Sequence, residues 1–243
     1  FGTGLISQPV EGQERANPIL TTECEILTDS PGPGKWRGGA GVVKTSRMLQ
    51  AEKTVISYIC DRERAIVWGI EGGLPSMPHG LTLKRAGSTA EERLGSIFSD
   101  VPIGEGDLFS RPTAGGGGFG DPLERDPNLV IEDIKDDYIS VERAAKDYGV
   151  VVHTIDAELC NYEVDKVATA ALRTKIRAER VANVRLDPEL VAQRYRSGEL
   201  NAFDVIRSHA VILDWGTGAL LAESTRQFRE AFERRSVAMW KAG

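Results

Sequence analysis

Along the first half of the chain, apolar positions come in short, β-branched, roughly alternating runs. Examples are Ile19-Leu20-Thr21-Thr22, Val42-Val43-Lys44-Thr45 and Val55-Ile56-Ser57-Tyr58-Ile59. Alternation of this kind predicts strands, and the Gly and Pro between the runs predict the turns of a meander or barrel-like sheet. From Asp126 the period lengthens to that of a helix. Asp126-Pro127 reads as an N-cap with Pro at the first helical position, and Leu129, Val130 and Ile134 then share one face. Ser140 caps a helix over Val141–Tyr148, and Gly149 supplies its left-handed stop. Val150–Val152 reads as a short buried strand. A longer helix is predicted from about Asp165 to Val181, with Val167, Ala171 and Leu172 on one face. Asp187-Pro188 opens another that stops at Gly198. Val211–Leu213 is a small strand, residues 215–218 a turn, and Ser224 the cap of a final helix whose Phe228, Phe232 and Trp240 form one stripe. The expected fold is α+β, with a β-rich part over residues 1–125 and a helical part with short strands over 126–243.

Composition narrows the chemistry. The chain has 243 residues and a formal net charge of −6, which leaves no electrostatic footprint for nucleic acid or anionic lipid. No run is apolar for long enough to span a bilayer. Cys24, Cys60 and Cys160 are few and widely spaced, which reads as reduced thiols in a cytoplasmic protein. His79, His153 and His209 are scattered, so no metal site is expected on this chain; His153 is expected to follow a buried strand and make one hydrogen bond. There is no Gly-x-Ser-x-Gly elbow. Residue 1 is Phe rather than Met, so the sequence reads as processed or as a piece of something longer.

Two glycine-rich segments stand out. In Thr113-Ala114-Gly115-Gly116-Gly117-Gly118-Phe119-Gly120-Asp121-Pro122, the glycines allow close backbone approach and positive φ. The N–H groups of such a loop could cradle an anion. The Lys-Ser/Thr ending of a nucleotide loop is missing, however, and Gly115, Gly116, Gly117, Gly118 and Gly120 read first as a tight structural junction. In Asp29-Ser30-Pro31-Gly32-Pro33-Gly34-Lys35-Trp36-Arg37-Gly38-Gly39, Lys35 and Arg37 could hold a phosphate or carboxylate, or they could be solvated cations on a connector. Asp61 and Arg62 end a predicted strand, where sites often lie, although an ordinary local ion pair accounts for them better.

Taken together, these blocks resemble the C-terminal half of the hydantoinase B family. The likeness runs through Glu23–Leu27, Asp29–Gly39, Asp61-Arg62, Trp68-Gly69, Gly72-Gly73, Gly104–Asp107, Gly115–Pro122, Leu123–Pro127 and Ser140–Val150. The tail, Ala210–Gly218 with Thr225–Arg229, resembles the extension of carboxylase-like members, the acetophenone carboxylase branch above all. The resemblance implies one subunit or fragment of a multisubunit ATP-dependent ketone carboxylase that works through a phosphorylated enol and is inactive alone. A cyclic amidohydrolase of the N-methylhydantoinase or 5-oxoprolinase type, or a non-catalytic assembly subunit, are the alternatives. It also implies partners: a hydantoinase A-like subunit holding ATP and Mg, and the N-terminal half of the hydantoinase B-like subunit, with Zn or Mn elsewhere in the complex. Lys35, Arg37, Asp61 and Arg62 are then candidates for contact with substrate or its phosphate.

Overall fold

The computed structural model describes residues 9–50, 52–60, 67–77, 79–184, 186–214 and 217–230. In chain order these form α1 (Val10–Ala16), β1 (Ile19–Leu27), β2 (Gly41–Met48), β3 (Val55–Ile59), β4 (Leu81–Lys84), β5 (Glu91–Gly95), β6 (Ile97–Pro102) and β7 (Leu108–Pro112). There follow α2 (Pro127–Lys135), α3 (Val141–Tyr148), β8 (Val152–Asp156), β9 (Asn161–Val164), α4 (Lys166–Val184), α5 (Pro188–Arg196), α6 (Ala202–His209), β10 (Leu213–Asp214) and β11 (Ala219–Leu220). Residues 222–230 are helical. The fold is α+β, 32% helix and 28% strand, with sheets in the N-terminal part and helices in the C-terminal part.

The compact units do not follow that change of secondary structure at residue 125. One unit comprises Phe1–Leu27, Gly41–Glu63 and His79–Thr113; the other comprises Thr28–Ala40, Arg64–Pro78 and Ala114–Gly243. Two short segments from within the strand-rich stretch therefore belong with the helices.

The first unit holds a five-stranded antiparallel sheet, ordered β1-β2-β7-β4-β5, and the two-stranded ladder β3-β6. Ile19, Met48, Leu81, Leu83, Ile103 and Phe109 are buried as one cluster, with Ile56, Tyr58, Phe98 and Val101 of the β3-β6 ladder packed against it. Alternation along β3 explains this arrangement, because Ile56 and Tyr58 face inward while Val55 and Ile59 are exposed. α1 buries none of its residues, which is why no apolar stripe announces it. β5 is largely exposed, and its residues show no alternation.

Asp107 shapes a turn in this unit. Its carboxylate accepts from Gly104 N and Ala86 N, both at 2.8 Å, and pairs with Arg85 Nη1 at 2.9 Å. Burial alone would raise its pKa, but the two backbone donors and Arg85 more than offset this and hold it below the ordinary value of 3.8. A depressed folded-state pKa contributes stability that is fully present above the unfolded value and is lost as pH falls through the folded one. Asp107→Asn is therefore expected to flatten the acid limb of stability against pH below about 3.8, measured by urea denaturation. An unchanged acid limb would remove Asp107 from this role.

In the second unit, Val130, Ile134, Ile139, Ala144, Tyr148 and Val150 form one buried cluster, and Val191, Ala192, Val205, Val211 and Leu213 another. The caps follow local chemistry. Asp126 accepts from Asn128 N, Ser140 from Arg143 N and Asp187 from Glu189 N, with Pro following Asp126 and Asp187. Gly149 ends α3 at φ 61°, and Gly198 follows α5 at φ 80°. The strand expected at Val150–Val152 lies slightly later. Val150 is buried ahead of it, and β8 pairs with β9 through largely exposed residues. His153 thus sits within the strand, exposed, 3.3 Å from Asp165. The expected small strand at Val211–Leu213 is shifted similarly, to β10. Of the final predicted helix, Phe232 and Trp240 lie outside the described residues, as do Trp215 and Gly216 of the predicted turn.

Candidate functional site

The second unit is organised around three extended glycine-rich segments, residues 28–40, 67–77 and 114–121, laced together by backbone hydrogen bonds. Gly32 N donates to Gly116 O, Gly116 N to Gly39 O, Leu74 N to Pro33 O and Gly118 N to Leu74 O. Trp36 and Phe119 exchange two hydrogen bonds, both at 2.9 Å, while Ile70 N donates to Gly118 O and Ile70 O accepts from Gly120 N. The segments lie too close for side chains. A Cβ on Gly118 would sit 2.0 Å from Pro33 O, one on Gly117 2.0 Å from Trp68 O, and one on Gly115 2.4 Å from Ser30 O. Gly120 additionally has φ 75°. The N–H groups of Gly116, Gly118, Phe119 and Gly120 all point at backbone carbonyls, so these four are not offered to an anion.

This lacing presents an apolar row. Trp36 pairs with Phe119 and Phe119 with Ile70, and residues paired directly across a ladder share a face. Trp36 is 59% exposed, Phe119 49% and Ile70 58%; Trp68, two residues before Ile70, is 70% exposed. Three large apolar side chains aligned on an open backbone platform form the kind of contiguous patch that marks an interaction surface.

Beneath the platform lies a charged strut. Asp133 of α2 is 5% exposed, with one carboxylate oxygen 2.7 Å from Arg37 Nε and the other 2.8 Å from Arg125 Nη2. The Arg37 guanidinium also stacks over Tyr138, 3.8 Å from the ring centroid, and donates to Gly38 O. Arg125 donates to Lys35 O, and Arg173 donates to Arg125 O and Tyr148 O. Lys35 differs from Arg37. Its side chain is 49% exposed, and its ammonium lies 3.5 Å from Glu124. The sequence pairs Lys35 with Arg37, and the structure gives them different surroundings. Asp61 and Arg62 lie outside the described residues.

A second polar cluster, in the first unit, was not singled out by any motif. Cys60 Sγ lies 2.7 Å from Nε2 of the buried His79. Tyr58 lies close enough to Cys60 and to Arg111 for both to act on it electrostatically. The signal was present in the alternation Ile56, Tyr58, Cys60, which carries the thiol to the inward face of β3. Its partner His79 is 19 residues away, beyond any local spacing rule. Among the described residues, no group of three or more His, Cys, Asp or Glu side chains is placed to hold a metal ion, and no helix is long and apolar enough to cross a membrane.

The sequence pattern of the hydantoinase B/oxoprolinase family matches residues 1–122. The acetone carboxylase alpha subunit of Xanthobacter autotrophicus is 30% identical over 70% of this chain and 26% of its own. The nucleotide-free acetone carboxylase structure superposes with a TM-score of 0.65 at 23% identity, over 96% of this chain and 33% of that one. The ATP-dependent caprolactamase of Pseudomonas jessenii gives a TM-score of 0.57 at 28% identity, over 70% of this chain and 28% of that one. The chain thus spans about a quarter to a third of the length of these relatives.

Proposed function

The chain belongs to the hydantoinase B/oxoprolinase family, and from that premise we propose that it serves within a multisubunit ATP-dependent ketone carboxylase, acting on an acetophenone-like ketone. The observation that carries the choice is the reach of the fold. The likeness to acetone carboxylase extends over 96% of the chain, helical tail included, against 70% for caprolactamase. In this reading a partner of the hydantoinase A type binds ATP and Mg. ATP phosphorylates the enol oxygen of the ketone, and the activated carbon is then carboxylated. Phosphoryl transfer depends on positioning and charge more than on protein nucleophiles, which suits a chain that contributes surface and orientation. Lys35, half exposed beside the apolar row, is the cation of this unit we assign to a substrate or phosphate contact; Arg37, paired with Asp133, we assign to holding the platform. The higher identity to caprolactamase, 28% against 23%, keeps a cyclic amidohydrolase as the second reading.

The row Trp36–Phe119–Ile70 is assigned to contact with the part of the family's polypeptide that this chain does not span. Phe119→Glu is expected to leave the melting temperature within a few degrees, because the side chain is half exposed, while releasing the partner chains from a tagged pull-down. Retention of every partner would remove the row from the interface. The activity is tested on the purified assembly with a panel of acetophenone, acetone, hydantoin and caprolactam. Bicarbonate-dependent ATP turnover with a ketone is expected. Turnover with the cyclic amides alone would transfer the assignment to the amidohydrolase. The separated chain is expected to show no ATP binding by calorimetry.

A further inference from the structure

The interior of the first unit changes character along its length. At one end Leu83 and Phe109, paired in register across β4 and β7, pack with Ile56 and Phe98 in the apolar cluster. Two residues along β7, on the same face, stands Arg111, in register with Lys44 on β2, itself opposite Cys24 on β1. Arg111 Nη2 donates to Oγ of the fully buried Ser46 at 2.8 Å, and its guanidinium carbon lies 5.1 Å from the Phe109 ring centroid. The β3 side supplies Tyr58 and then Cys60, whose Sγ is 2.7 Å from His79 Nε2.

Arg111 carries the observation that points to a ligand. Among the described residues no carboxylate pairs with it, and its buried Nε has no hydrogen-bond partner. Arg111 is partly buried, and Ser46 Oγ and the Phe109 ring replace only part of the hydration it gives up, which leaves a guanidinium edge suited to a counter-ion. Its planar edge of N–H donors matches a carboxylate. The neighbours favour the same occupant. Burial first, then the neighbouring Cys60 thiol, push Tyr58 up to about 12, so its hydroxyl remains a donor at neutral pH. A thiol touching imidazole in a cationic, half-buried setting is the environment in which cysteines become nucleophilic.

We propose that this polar end of the first unit binds a small carboxylate, held by Arg111, within reach of Cys60 as a nucleophile and His79 as its base. Iodoacetate is the probe. His79 Nε2 takes the thiol proton, Sγ forms a bond to the methylene carbon, and iodide leaves with the bonding electron pair. Iodoacetamide has the same leaving group without the charge, so the ratio of the two rates reports the carboxylate site alone. The measurement is made on the full-length protein in its native assembly, with Cys24→Ser throughout because Cys24 also feels the Arg111 charge. Labelling at each cysteine is followed by peptide mass spectrometry, and the exposed Cys160 is the internal reference. The iodoacetate-to-iodoacetamide ratio at Cys60 is expected to exceed that at Cys160 by about tenfold, the worth of one charge-assisted contact. Arg111→Gln is expected to bring the two ratios together, and His79→Asn to slow both reagents at Cys60 while leaving their ratio raised. Equal ratios at Cys60 and Cys160 in the assembly carrying Cys24→Ser alone would overturn the proposal without recourse to any Arg111 variant, and so would a raised ratio that survives Arg111→Gln.

Discussion

Gly118→Ala is expected to destabilise the protein by about 3 kcal/mol or more, at the upper end of overpacking costs, whereas Gly116→Ala costs within about 1 kcal/mol. The contrast comes from what each new methyl would meet. At position 118 it falls 2.0 Å from Pro33 O and 2.4 Å from Pro33 C; at position 116 the nearest atom is Gly39 N at 3.2 Å. Pro33 O also receives the Leu74 N–H, so moving it breaks a bond that ties a third segment into the platform. A flexible side chain could swing aside, but backbone held on both sides cannot. Melting temperature, oligomer mass and turnover are to be measured on the same samples of the whole assembly. Intact melting and mass with turnover lost at both positions would show that the loop serves the reaction rather than the scaffold.

Asp133→Asn is expected to cost about 3–5 kcal/mol, the range for breaking a buried ion pair by removing one partner. The side chain of Asp133 is 6% exposed, while those of Arg37 and Arg125 are 20% and 8% exposed. Neutralising the carboxylate leaves two guanidinium groups facing one amide, which offers a single acceptor where two oxygens stood. The loss should appear in the urea midpoint with little change in slope. A cost below about 1 kcal/mol would place this cluster with exposed ion pairs, which contribute little. Arg37→Lys is a milder perturbation of the same place, since the ammonium keeps the charge but loses the planar stack on Tyr138.

What could be read in advance was local. Asp126-Pro127, Ser140 and Asp187-Pro188 each announce a helix start, because capping needs only residues two or three apart. The strands at Ile19, Val42 and Val55 follow from alternation over a few positions. What escaped was decided by distance along the chain. Nothing near Arg37 reveals that Asp133, 96 residues on, will take its charge, and without that partner Lys35 and Arg37 look equivalent. Cys60 was visible only as a sparse thiol until β4 brought His79 against it. The short segments 28–40 and 67–77 read as connectors because their bonds are to backbone, which carries no residue-type signature. The glycines mark the packing but not the partner.

The division of the chain into interleaved segments bears on its birth at the ribosome. Residues 28–40 emerge early and can meet segment 67–77 through Pro33 and Ser30, but they complete their hydrogen bonding only when the loop at 114–121 appears, and Arg37 waits for Asp133, 96 residues later. At ordinary elongation rates that is roughly 5–20 s during which a Gly- and Pro-rich ribbon stays open while the strands on either side of it begin to pair. Closing so long a loop costs only slightly more entropy than closing a short one; the penalty falls on speed, since non-local pairing is slow to find. Glycine and proline tolerate the delay well, because a segment with few side chains offers neighbouring nascent chains little to stick to. The composition that lets three backbones meet in the finished protein also keeps the first of them inert until the others arrive.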